Sequence, residues 1–307
     1  MKTPVSPLVI WRFSDSKAGH DNQSRGLVEA LNRWRPVESI TLSPQPTARM
    51  LAALLLGQAP TAWRDLPTPD VLVGAGHQTH FSLLAARRRR DGKAVVLMRP
   101  SLPLGCFDLC LIPEHDSPPT RANVLTTRGA LNRIRPASDL QLDRGLFLIG
   151  GPSAHFGWDE TSLYRQIAAI LATTAGIRWI LTTSRRTPTP FLNGLASDSN
   201  GALTVIPATE TGPDWLPAQF AQAAQVWVTA DSVSMVYEAL TAGARVGVLE
   251  LPPKQPNRIG RGLDGLAAQG WVTFFSHWRQ TAPLSRPSGT FDEAERCARW
   301  IIERWFA

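Results

Sequence analysis

A chain whose short apolar runs each end in a polar or glycine-bearing turn, and whose next segment has helical spacing, has few folds open to it. Residues 226–251, VWVTADSVSMVYEALTAGARVGVLEL, show that unit most clearly. Val226 to Val228 is a strand-type run, and Thr229-Ala230-Asp231-Ser232 carries turn and helix-capping chemistry. Val233, Val236, Tyr237 and Leu240 then fall at i, i+3, i+4 and i+7, which predicts a helix with one apolar face. Gly243 stops it, and Val246 to Leu251 reads as a second buried strand. The other face carries Asp231, Ser234 and Glu238. Such a stripe would begin at a helix N-terminus beyond the carboxyl end of a parallel strand, where open α/β sheets bind anionic ligands. It is equally what a solvated helix face with an aspartate cap looks like.

The same unit recurs from the start of the chain. PLVIWRF (7–13) predicts a strand, Ser14 to Gln23 a polar loop, and 23–34 a helix burying Leu27, Ala30, Leu31 and Trp34. Gly19 would permit the tight turn between them, and Lys17, His20, Asn22 and Gln23 crowd its rim, as in a ligand loop. VESITL (36–42 region) is a second strand and 47–58 an Ala/Leu-rich helix. A strand then runs into Gly74-Ala75-Gly76-His77 and a helix over 79–90 that ends in Arg87 to Arg90. Four basic residues complement the helix dipole and read as a solvated helix end, with a membrane-surface patch as the alternative. AVVLMR (94–99), FDLCLIP and NVLTTRG add strands. Repeated βα units imply a parallel sheet with helices on both faces.

Residues 132–145, polar and proline-bearing, read as a linker. A second βα series follows: strand 146–149, a loop containing Gly150, Gly151 and Ser153, a helix over 160–174, and strand 178–183 ending in Ser184-Arg185-Arg186. TVIPA (204–208) is a short strand, and 252–258 is a rigid basic loop with Lys254 and Arg258. A short helix through Leu263–Ala268, a strand over 271–275 and Pro-rich 281–289 come next. The last helix has Phe291, Ala294, Ala298, Ile301, Ile302 and Trp305 on one stripe. The expected domains are 1–140, 141–289, and a helix at 290–307 that crosses back onto the first domain.

Composition narrows the partners. With 43% apolar and 19% charged residues the chain is of globular type, and a net charge of +7 suits an anionic partner. No basic–aromatic interleaving points to nucleic acid. The beginning of the chain lacks a signal-peptide pattern and no apolar window is long enough to span a bilayer. Three cysteines without zinc spacing suggest reduced thiols, a cytoplasmic setting and no metal centre.

SDSKAGHDNQSRGLVEAL (14–31), GGPSAHFGWDE (150–160) and DSVSMVYEALTAG (231–243) resemble the signatures of the ELM family, known in plants as mitochondrial-fission proteins and widespread in bacteria. The order of loops is also similar to GT-B glycosyltransferases, especially the N-acetylglucosaminyltransferase that makes lipid II. Glu238, five residues before Gly243, matches the ribose-binding glutamate of that pattern, whereas Asp231-Ser232 replaces the consecutive glycines of many GT-B enzymes. The resemblance implies two Rossmann-like domains with parallel sheets facing a central cleft, and hinge motion near 132–145. It implies a nucleotide-sugar donor as substrate, with no further cofactor and no metal. Gly150, Gly151, Ser153, Ser184, Arg185, Asp231, Ser232, Ser234, Lys254 and Arg258 would hold the diphosphate, and Glu238 the ribose. Asp15, His20 and His77 are the candidates for the base that activates an acceptor hydroxyl. A lipid-linked or acidic glycan would be the acceptor, with peripheral contact at the inner membrane surface. A catalytically silent scaffold is the alternative, since plant members act as adaptors that recruit a dynamin-related protein. A nucleotide-sugar epimerase is another.

Overall fold

Side-chain alternation fixes which way the first strand faces. In β1 (Leu8–Phe13), Leu8 and Ile10 turn to one side of the sheet and Trp11 and Phe13 to the other, each pair into its own core. The computed structural model describes residues 6–56, 60–196, 202–279, 284–285 and 288–306. The chain divides into two compact units, Met1–Arg133 with Glu293–Ala307, and Ile134–Asp292.

In the first unit β1 is followed by α1 (Ala18–Trp34), β2 (Val37–Leu42), α2 (Thr47–Leu56), β3 (Val71–Ala75), α3 (His80–Arg90), β4 (Lys93–Leu97), β5 (Leu109–Pro113) and β6 (Val124–Thr127). All six strands are parallel, in the order β2-β1-β3-β4-β5-β6. Strand order reverses between β1 and β3, which opens a crevice at their carboxyl ends. One face of the sheet packs on α1 and on α9 (Glu293–Trp305), through Leu27, Leu31, Cys297 and Ile301. Near the start of α9, Glu293 is buried and accepts from Arg128 Nε at 2.9 Å, its backbone N–H at 3.1 Å and Arg296 Nη2 at 2.6 Å. Burial alone would raise that carboxyl; the two guanidinium groups outweigh it and hold it below the ordinary glutamate value. The other face packs on α2 and α3 around Met50, Trp63 and Leu83.

The second unit contains β7 (Gln141–Ile149), α4 (Glu160–Thr173), β8 (Arg178–Thr183), α5 (Thr189–Ala196), β9 (Leu203–Ile206), α6 (Trp215–Phe220), β10 (Ala223–Thr229), α7 (Val233–Ala242), β11 (Arg245–Leu249), α8 (Arg258–Ala268) and β12 (Val272–Phe274). Its sheet is again fully parallel, in the order β12-β11-β10-β7-β8-β9. This is the doubly wound arrangement, with its switch point between β7 and β10. Two Rossmann-like domains of this kind are the GT-B fold class.

Several local expectations change. The first helix begins at Ala18 and not at residue 23, because Ser16 at φ 62° turns the chain within three residues of β1. Gly19 is an ordinary helical residue whose Cβ would meet nothing. Trp34 is 46% exposed, its indole N–H donating to Glu295 at 2.6 Å. β7 starts at Gln141, inside the stretch read as linker: Leu142, Asp143 and Arg144 disguise its exposed end, and Leu142 is 73% exposed. α8 starts at Arg258, five residues early, because the Asn257 side chain caps it by accepting from the Gly260 N–H at 2.9 Å. Phe291 precedes α9 and stacks on Tyr237 and against Trp271 in the second unit. Parts of the segments read at 47–58 and 281–289 lie outside the described residues.

Candidate functional site

In the first unit the loops after β1 and β3 meet at the switch point. Asp15 follows β1 with its side chain fully buried, and His20 sits in the first turn of α1. His20 Nδ1 lies 3.0 and 2.9 Å from the two Asp15 carboxylate oxygens, so Nε2 is the ring nitrogen not engaged with Asp15. The Lys17 N–H donates to Asp15 Oδ1 at 3.2 Å, and its ammonium is 3.6 Å from Oδ2. Burial would raise the Asp15 carboxyl, but the bond to His20 and that from Lys17 hold it below the ordinary aspartate value. Gly76, at φ 83°, closes over the pair; a Cβ there would overlap the His20 ring.

Beneath this pair Arg12, 4% exposed, binds Asp21, Ser24 Oγ at 3.1 Å and Thr41 Oγ1 at 3.0 Å, which fixes α1 against the sheet. His77 is exposed in the single 3-10 turn after Gly76, and the Asp15–His20 pair does not include it. The pKa of the buried His80 is pushed down to about 4, first by burial and second by coulombic repulsion from His77. His80 faces Ser101 Oγ at 3.3 Å and the Phe107 ring, in a packing role.

In the second unit the turn after β7 meets the turn after β10. The Gly150 N–H donates to Thr229 Oγ1 at 2.8 Å and the Gly151 N–H to Asp231 Oδ2 at 3.1 Å. A Cβ on Gly150 would overlap the Asp231 carboxylate and the Ser232 hydroxyl. The Asp231 side chain has no exposed surface; its Oδ2 also accepts from Arg186 Nη2 at 2.7 Å and Ser232 Oγ at 3.2 Å. Arg186 Nη1 caps the turn by donating to the Gly151 and Pro152 carbonyls at 3.1 and 3.3 Å. The cation bonded into this turn is therefore Arg186, although it and Arg185 are both exposed. Ser184 Oγ accepts from the Arg186 N–H at 3.1 Å, and Thr187 Oγ1 donates to the Ile149 carbonyl at 3.1 Å and to that of Gly150. Ser232 is the N-cap residue of α7; Ser234 is exposed on the first turn and Glu238, half-buried, lies one turn further along.

The loops after β7 and β11 are joined. Gly157 and Lys254 make backbone bonds of 2.8 and 3.0 Å to Pro252 and His155, and Phe156 bridges to Pro253. Lys254 Nζ donates to the Ser153 carbonyl at 2.8 Å, and Ser153 Oγ accepts from the His155 and Phe156 N–H groups at 3.3 and 3.0 Å. Arg258 opens α8 beside them. A cavity of about 310 Å³ lies against these loops, walled by Phe156, Leu251, Pro253, Pro256, Leu263 and Phe274. Among the described residues no three His, Cys, Asp or Glu side chains are grouped as metal ligands.

Two doubly wound sheets, each with a buried carboxylate at its switch point, can be set beside known proteins. The family described as Mitochondrial fission ELM1 matches residues 18–305. The chain belongs to the mitochondrial fission ELM1 family. An uncharacterized protein of Rickettsia prowazekii (strain Madrid E), RP120, is 23% identical over 289 residues, covering 76% of this chain and 81% of that one. Among solved structures, MurG of Acinetobacter baumannii superposes with a TM-score of 0.53 at 12% identity, over 97% of this chain and 100% of that one. A UDP-N-acetylglucosamine 2-epimerase gives 0.57 at 13% identity, over 99% and 98%. At such identities the likeness establishes the GT-B fold for this family member, and the chemistry has to come from its own residues.

Of those residues, Arg186, Thr229, Thr187 and Gly76 carry much of both clusters and were not among the sequence candidates. Arg186 had a readable signal, standing two residues beyond Ser184 at a strand end, but Arg185 has the same one. Only the turn made by Ser184 and Thr187 decides which of the two points inward.

Proposed function

We propose that this protein binds a nucleotide-sugar donor in its second unit and transfers the sugar to an acceptor hydroxyl activated by His20. The observation that carries the reading is that each parallel sheet brings a buried carboxylate, a glycine and a cationic or proton-carrying partner to its own topological switch point. Asp15 anchors Nδ1 of His20, so the ring takes up a proton at Nε2. The acceptor oxygen, losing that proton, bonds to the anomeric carbon as the bond to the diphosphate breaks. The Gly150–Gly151 turn, Arg186 and the first turn of α7 oppose the charge on the leaving diphosphate. Glu238 accepts from the ribose hydroxyls, and Lys254 and Arg258 border the site.

A thermal-shift panel of UDP-, GDP-, ADP- and CMP-sugars tests the donor site. One nucleotide should stabilise the protein, and Glu238→Ala should reduce the shift at the same ligand concentration; no response to any of them refutes the reading. Turnover that requires an acceptor separates a transferase from an epimerase, which would convert the donor alone. A second reading, a GT-B scaffold without turnover, draws support from the family's description and from the internal partners that both turn amides already have.

The acceptor we propose is a lipid-linked or acidic glycan met at a membrane surface. Among the described residues no helix is long and apolar enough to cross a membrane. The Arg87–Arg90 run is mostly internal: Arg87 binds the Cys106 carbonyl and Asp108, Arg89 the Ala53 and Leu54 carbonyls, and Arg90 the Arg64 and Leu66 carbonyls while lying over Trp11. The outward face of α2 suits an interface better, with Leu51, Leu55 and Leu56 exposed by 41, 83 and 73% and the exposed Arg49 on the same helix. Sedimentation with anionic vesicles at low salt should be lost in Leu55→Ser/Leu56→Ser; retention of binding would exclude this face.

A further inference from the structure

The glycine turn of the second unit has the parts of an anion hole: two backbone N–H groups, a guanidinium and the start of a helix. An anion already fills it. Asp231 Oδ2 takes the Gly151 N–H at 3.1 Å, Arg186 Nη2 at 2.7 Å and Ser232 Oγ at 3.2 Å, and the side chain has no exposed surface. A structural ion pair of this burial would have both oxygens satisfied. Here, among the described residues, Asp231 Oδ1 has no hydrogen-bond partner. The side chain of its partner Arg186 is 45% exposed, so solvent and dissolved anions reach that side chain.

We infer that Asp231 is an internal counter-anion, that a ligand's diphosphate binds by displacing its carboxylate from Arg186 and the Gly151 N–H, and that Asp231 thereby sets which phosphates the site accepts. This rests on the donor-site reading above. The physical reason lies in unequal competition. The carboxylate is tethered at the site and competes at high effective concentration, but it carries a single charge and leaves one oxygen orphaned. A monophosphate offers little gain over it. A diphosphate spans both the guanidinium and the turn amides with more charge, so the diphosphate group is the smallest phosphate class able to open the hole. The position where many GT-B proteins carry glycine, which has no side chain to offer, is then a selectivity element in this chain.

The test uses the full chain and calorimetric titration with inorganic pyrophosphate, UDP and UMP. Asp231→Asn should bind pyrophosphate and UDP at least tenfold more tightly than the unaltered protein, and the gain should vanish in Asp231→Asn/Arg186→Gln. UMP should come close to UDP in the variant and fall well short of it in the unaltered protein. Equal or weaker pyrophosphate binding by Asp231→Asn with a native melting profile overturns the inference. Should that variant fail to fold, the unaltered chain decides: saturating pyrophosphate should shift the Gly151 amide resonance, and an unmoved resonance in the bound state overturns the inference. If the variant gains pyrophosphate but UDP, GDP and ADP bind no better than pyrophosphate, the counter-anion stands and the nucleotide reading falls. If UDP binds both proteins alike, the nucleotide reading stands and the counter-anion falls.

Discussion

The two units place the same device at the same topological point and give it opposite chemistry. Asp15 and Asp231 are both aspartates with no exposed side-chain surface, each beside a glycine that a Cβ would push into it or its partner. Asp15 faces an imidazole, and Asp231 a guanidinium. Imidazole changes protonation state near neutral pH, so an aspartate behind it orients a proton carrier. Guanidinium keeps its charge, so an aspartate behind it neutralises a cation until something stronger arrives. One fold pattern thus sets a buried aspartate beside an imidazole in one unit and beside a guanidinium in the other, and under the proposed function the first would move protons and the second hold anions.

The comparison breaks most readily at His20. His20→Ala should lower sugar-transfer turnover by about 10²–10⁴-fold, the range for loss of a positioned general base, while leaving the thermal shift by the donor intact. An equal loss in donor binding would place His20 in the wrong role. Gly76→Ala comes next. The new methyl must push the His20 ring aside and the residue must hold φ 83°, so stability should fall by about 1–3 kcal/mol. Turnover should fall further than the melting temperature explains, read as kcat measured well below the transition.

Much of the frame was legible in the sequence and much of each site was not. The strand–turn–helix units showed because buried parallel strands are short apolar runs, and α7 between Asp231 and Gly243 kept a clean helical period. β7 hid its first residues because Leu142, Asp143 and Arg144 lie at an open end of the sheet. Glycine is the usual residue for a turn such as the one before α1, so the sequence points to Gly19, whereas Ser16 makes the turn. His20 was visible as a polar residue, but its pairing with Asp15 across five positions depends on α1 starting at Ala18. Asp231 was read as ligand-binding from its place on the α7 stripe. Its bond to Arg186 joins residues 45 apart in sequence, and no local pattern reports such a contact.

A smaller effect probes the second unit. Glu238→Ala removes a half-buried carboxylate on α7 and should weaken nucleotide-sugar binding by about tenfold, the size of one charge-assisted hydrogen bond. Inorganic pyrophosphate, which has no ribose, should bind as before. A parallel loss for pyrophosphate would move Glu238 from the ribose to the phosphate end of the site.

The smallest effect is a pH slope that belongs to the first unit. Burial, which raises the Asp15 carboxyl, is outweighed by the bond to His20 and that from Lys17, so the folded-state pKa lies below the ordinary aspartate value. A carboxyl lowered in this way stabilises the fold fully above the unfolded-state value, and that stability is lost as pH falls through the folded-state value. Asp15→Asn cannot titrate and has no such slope. The melting temperature of the unaltered protein should therefore exceed that of Asp15→Asn at neutral pH, and the gap should narrow over roughly pH 5 to 3. A gap that stays constant on acidification would show that the His20–Asp15 contact contributes through shape and not through charge. The two buried aspartates would then differ less than their partners suggest.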